Sequence, residues 1–138
     1  LALRYRYDAD DDFGWLEMSL ESASFSGKSG FWVQWQDLVE FADKLPSSPD
    51  RLGERIFSQW GFDTLEKDDL ILSLSIEEVG RLGELSVCVE LADHNVPLNR
   101  LRASFRAIYA SLDLFKRDLV KLMAREGETA ELIGRETT

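Results

Sequence analysis

Leu70-Ile71-Leu72-Ser73-Leu74-Ser75-Ile76 and Leu85-Ser86-Val87-Cys88-Val89-Glu90-Leu91 decide the fold of this chain. Both stretches alternate at a period of two, the pattern of a strand with one face buried. Leu70, Leu72, Leu74 and Ile76 fall on one side, with Ser73 and Ser75 on the other. Leu85, Val87, Val89 and Leu91 repeat the arrangement. Between the two, Glu78 to Glu84 carries two glycines and predicts the turn, so the unit is an antiparallel hairpin with an apolar and a polar face.

Working outward, the same period recurs at the start of the chain. Leu1, Leu3, Tyr5 and Tyr7 oppose Arg4 and Arg6, and over 15–22 Leu16, Met18 and Leu20 face inward against Glu17, Ser19 and Glu21. These two strands predict a second hairpin, with Arg4 or Arg6 set near Glu17 across the strands. Ser26-Gly27-Lys28-Ser29-Gly30 has the composition of a turn leading into a short third strand at Phe31-Trp32-Val33. Leu38, Phe41, Ala42 and Leu45 then recur at helical spacing, and Pro46 stops the helix. A short aromatic strand is expected over 55–62.

Residues 98–125 admit two readings. Leu98, Leu101, Phe105, Ile108, Leu112, Phe115, Leu119 and Leu122 fit one long amphipathic helix, whereas 100–107 alternate strictly, Arg100, Arg102, Ser104 and Arg106 against Leu101, Ala103, Phe105 and Ala107. Ser111 is a candidate N-cap with Asp113 in the first turn, which favours a strand at 100–109 and a helix at 112–125. The fold class is therefore α+β: one antiparallel sheet of about six or seven strands with two helices on its apolar face. One domain is expected over 1–126, with a frayed tail over 127–138.

The 138 residues carry a formal charge of −10, with one histidine and one cysteine. The charge is uneven: residues 1–93 sum to −12 and 94–138 to +2. Nucleic acid and anionic membranes are poor partners for such a chain, while a basic protein or a cation is a good one. A single cysteine excludes an internal disulfide and a cysteine-based zinc cluster, and Cys88 reads as a strand thiol. No apolar run reaches the roughly 18 residues of a membrane span, and no signal-like segment opens the chain, so the cytoplasm is the expected compartment.

Two acidic runs stand out, Asp8, Asp10, Asp11 and Asp12 in one and Asp63 to Asp69 in the other, including Glu66, Asp68 and Asp69. Asp8-Ala9-Asp10-Asp11-Asp12-Phe13-Gly14 has the D-x-D-x-D opening of a calcium loop. Phe13 stands where the sharp turn needs glycine, and Ser19 where a bidentate glutamate is needed. No metal and no cofactor are expected, and a solvated hairpin loop explains the aspartates. Asp93-His94 is a polar turn, because adjacent side chains on extended backbone diverge. No nucleophile elbow, phosphate-cradling loop or carboxylate pair points to an enzyme. Interfaces are rich in tryptophan, which makes Trp32 and Trp60 candidates for partner binding beside the acidic runs.

The opening hairpin, Ser29-Gly30-Phe31-Trp32-Val33 running into Asp37-Leu38-Val39-Glu40-Phe41-Ala42-Asp43-Lys44-Leu45, the central hairpin 70–91 and the closing Ser111-Leu112-Asp113-Leu114-Phe115 form a series. This series resembles the WapI-family immunity proteins and neighbouring small bacterial domain families over most of the chain. The resemblance implies a strand-rich α+β fold and a non-enzymatic protein that neutralises a toxin by binding its toxic domain. It carries no functional residue over. Two expectations follow: a protein-binding domain of immunity type, acting on a basic toxin domain, or a structural or homodimeric housekeeping domain whose acidity serves solubility.

Overall fold

A computed structural model describes residues 1–7, 12–47, 50–60 and 72–135. The strands run β1 (Ala2–Tyr7), β2 (Phe13–Ser22), β3 (Phe25–Gln34), β4 (Ile56–Trp60), β5 (Leu72–Val79), β6 (Glu84–Ala92), β7 (Arg100–Ile108) and β8 (Thr129–Glu131). Helix α1 (Trp35–Lys44) follows β3, and α2 (Tyr109–Met123) follows β7. The fold is α+β with antiparallel pairing throughout, as the alternation predicts.

The strands divide into two four-stranded sheets, β3-β2-β1-β8 and β4-β5-β6-β7, instead of one sheet of six or seven. Period-two alternation shows which face of a strand is buried and is silent on which distant strand lies beside it. Here β3 and β4 are separated by α1, and each belongs to its own sheet. The inner faces of both sheets and one face of each helix share a single core. Leu3, Leu16 and Met18 come from the first sheet, and Leu74, Ile76 and Val87 from the second, all fully buried. Leu38 and Phe41 of α1 meet Leu112, Phe115 and Leu119 of α2 in the same cluster.

The central hairpin forms as expected, its register setting Leu74 opposite Val89 and Ile76 opposite Val87. Gly80 and Gly83 in its turn both have positive φ, 69° and 77°, which residues with a side chain adopt reluctantly. In the first hairpin Arg4 lies opposite Glu17, again as predicted.

Ser26 to Gly30 is not a turn. It lies inside the ten-residue strand β3, and the turn falls at Ala23-Ser24, where Ala23 has φ of 53°. The glycines of this stretch serve close approach. A Cβ on Gly27 would come within 2.9 Å of the Leu101 side chain on the other sheet, and one on Gly30 within 2.7 Å of the Trp15 indole.

Residues 98–125 are strand then helix, and Leu98 is almost wholly exposed, which excludes one continuous helix. The helix starts at Tyr109, before the expected Ser111 cap, and Ile108 at the N-cap makes no side-chain capping bond. Its last carbonyls are met from β1 and from the first residue of α1. Tyr7 Oη lies 3.0 Å from the oxygens of both Leu122 and Met123, and the Trp35 indole N–H donates to Met123 at 3.2 Å.

Within the segment expected to fray from Gly127, the described residues include β8. Thr129–Glu131 pairs with β1, Ala130 and Leu132 are fully buried, and the Arg135 amide donates to the Arg106 carbonyl. A three-residue strand is too short to show alternation, so its pairing is decided by the β1 edge it covers. No described helix is long and apolar enough to cross a membrane.

Candidate binding face

In β2, burying Leu16, Met18 and Leu20 sends Phe13, Trp15 and Glu17 to the outer face of the first sheet. Cross-strand register then sets Arg6, Trp15 and Trp32 in one row over β1, β2 and β3, with Arg4, Glu17 and Gly30 in the next. Phe13 and Gln34 form the row on the other side.

Trp15 and Trp32 meet edge to face, ring centroids 5.5 Å apart. The Trp15 indole occupies the space that a side chain on Gly30 would take, and reaches His94, 5.6 Å away centroid to centroid. His94 also lies edge to face with Phe31 at 6.1 Å. Phe31 belongs to the inner row opposite Leu16, so His94 lies against one ring from each face of the sheet.

Trp32 is 52% exposed at the outer end of this cluster, and Arg6 and Phe13 are exposed with it. A tryptophan standing half in water beside an arginine and further aromatics has the composition of a protein-interface hot spot.

Among the sequence-predicted site residues, Asp8, Asp10, Asp11, Glu66, Asp68 and Asp69 lie outside the described residues, as do the first four positions of the calcium-like loop. Asp12 is exposed at the foot of β2, where its carbonyl accepts the Trp35 amide of α1 at 2.8 Å. The first acidic run therefore ends immediately before Phe13 in the chain, while Asp12 itself borders a cleft with Tyr7, Trp35 and Arg125 instead of the face that carries Trp32.

Trp60 does not join that face. It pairs with Leu72 on the inner side of the second sheet, is 6% exposed, and packs edge to face on Phe41 at 5.4 Å. A five-residue strand flanked by loops leaves its phase open in the sequence, and here the phase sends Ile56 and Trp60 inward. Trp15 and His94 are the residues missed. The outward phase of Trp15 was readable from Leu16, whereas the approach of His94 from the other sheet had no local signal.

His94 is exposed in the turn after β6. Its neighbour Asp93 accepts the amides of Val96 at 3.0 Å and Asn95 at 2.8 Å, and these bonds hold its carboxyl below the usual range. That carboxylate is engaged in shaping its own turn. Arg100, Arg102 and Arg106 lie on the outer face of the second sheet, and Glu90 accepts from Arg100 at 2.8 Å. Acids thus interleave with the bases of that stripe. Among the described residues no group of three histidine, cysteine or carboxylate side chains is placed to hold a metal ion.

No family model matches this chain, and no curated protein and no solved structure is significantly similar to it.

Proposed function

We propose that this chain is a non-enzymatic protein-binding domain that docks its partner on the outer face of the first sheet. The observation that carries the reading is Trp32, half exposed and held edge to face by Trp15 on a face that neither helix covers. Fixing the indole in the free protein removes part of the ordering cost of binding, which is how a rigid aromatic anchor gains affinity. Arg6 beside the tryptophans adds a planar donor of the kind interfaces favour.

The partner is a basic protein, by charge. The chain carries −10 in all and −12 over residues 1–93, and the run Asp8, Asp10, Asp11 and Asp12 immediately precedes Phe13 in sequence. Opposite charge raises the encounter rate and selects against acidic competitors. A toxin domain neutralised by occlusion is such a partner, and the resemblance to WapI-family immunity proteins supports that class. The test is affinity capture of the protein encoded next to this one, with wild type and Trp32→Ser as bait. Capture by wild type and loss in the variant support the reading; equal capture by both refutes this face.

A further inference from the structure

The edges of the two sheets are protected unequally. At β3, Ser29 Oγ donates to the Ala92 carbonyl and Leu101 lies against Gly27. At β7, Ser22 Oγ donates to the Ser104 carbonyl at 2.9 Å and the Arg135 amide to that of Arg106 at 2.6 Å. At β8 the strand is three residues long. Only β4, of these four, has no such closure from the described residues, and Ile56-Phe57-Ser58-Gln59-Trp60 contains neither charge nor proline to discourage pairing.

Two clefts border this edge. The one at the Trp60 end, about 360 Å³, is walled by α1 and presents Asp37 and Glu40. The one at the Ile56 end, about 520 Å³, presents Arg55 and Glu54 together with Arg51, whose guanidinium is already paired with Glu78, and Lys44 lines both clefts. With Arg51 neutralised, Arg55 and Lys44 outweigh Glu54 at the Ile56 end, while Asp37 and Glu40 make the other cleft acidic.

We propose that β4 is a self-association edge, on which a second copy of this chain adds antiparallel about a two-fold axis near Ser58. That symmetry sets Ile56 of one copy against Trp60 of the other, so the acidic end of each edge faces the basic end of its mate, twice per dimer. It sets Phe57, 40% exposed with the Arg55 guanidinium 4.9 Å from its ring centre, against Gln59 of the second copy, and joins the β4-β5-β6-β7 sheets of the two copies into one of eight strands. An extended peptide of uniform charge would match only one end. The inference is independent of the tryptophan face, which lies on the other sheet and stays open in the dimer.

The experiment is sedimentation velocity of the full chain over about 1–100 μM, a range suited to a small interface. Wild type is expected to pass from monomer to dimer. Asp37→Lys with Glu40→Lys makes both ends basic, and Lys44→Glu with Arg55→Glu makes both acidic. All four residues are exposed, and circular dichroism checks that each variant is folded. Each double variant alone is expected to dimerise at least about 10-fold more weakly, a loss of about 1.4 kcal/mol. An equimolar mixture of the two is expected to recover a heterodimer. A wild type that stays monomeric throughout, a dimer indifferent to both reversals, or a mixture that fails to associate would overturn the proposal.

Discussion

The indole of Trp15 lies where a side chain on Gly30 would stand. A Cβ there would come within 2.7 Å of the indole atoms Cε2, Cζ2 and Nε1. This contact joins β2 to β3, holds the ring that orients Trp32, and sets that ring against His94. Gly30→Ala must displace the indole. Because Trp15 is a partly exposed side chain that can swing outward, the expected cost is about 1 kcal/mol, the low end for overpacking. Urea unfolding measures the loss, and a red shift of tryptophan emission reports the displaced ring.

Tyr5 supplies a pH prediction. Its hydroxyl donates to the Val33 carbonyl at 2.8 Å, and burial pushes its pKa up to about 12, with Tyr7 and Asp37 adding to the rise. The unfolded chain ionises near the ordinary tyrosine value of about 10. Above that pH the unfolded state sheds the proton first. The contribution of Tyr5 is therefore full below about pH 10 and declines as pH rises through the folded value. Tyr5→Phe removes this alkaline decline and costs about 1 kcal/mol at neutral pH for the lost bond to Val33. Thermal unfolding of both proteins between pH 7 and the alkaline limit is the check.

Leu132 and Ile133 make a matched pair for the closing segment. Leu132 is fully buried and its amide donates to the Leu1 carbonyl at 2.8 Å, while Ile133 is 64% exposed. Leu132→Ala is expected to lower stability by about 2–4 kcal/mol, and Ile133→Ala by under about 0.5 kcal/mol. Equal small losses in chemical denaturation would mean that the segment closing after β8 adds nothing to the fold.

Those two residues also mark where sequence reading ran out. The hairpin 70–91, the alternation at 1–7 and 15–22 and the helix through Leu38 and Phe41 were legible because local period alone determines which residues are buried. β8 was not, since its pairing is set by Leu3 and Arg4 more than 120 positions away in the chain. Gly27 and Gly30 read as a turn because glycine marks turns and close approaches alike, and only the positions of Leu101 and Trp15 separate the two. The candidate face was legible in part: Trp32 is exposed on it, Trp60 is core, and the approach of His94 depends on a loop from the other sheet.

Charge should act on rate. Asp10, Asp11 and Asp12 changed together to lysine reverse the acidic run that leads into Phe13. Association with a basic partner is expected to slow by about 10-fold or more at low ionic strength, with a shallower salt dependence and little change in folding stability. Stopped-flow association at several salt concentrations measures this, and an unchanged rate at low salt would exclude the run from the encounter.

The most direct test of the account is the affinity of the captured neighbour-encoded protein for wild type and Trp32→Ala, measured by calorimetry beside urea unfolding of both. Trp32 is half exposed and the fold does not depend on it, so stability is expected to fall by under about 1 kcal/mol. As a binding anchor, its loss is expected to cost at least about 2 kcal/mol, some 30-fold in Kd. An affinity unchanged within about 2-fold, with the variant fully folded, would contradict the assignment of this face as the binding site.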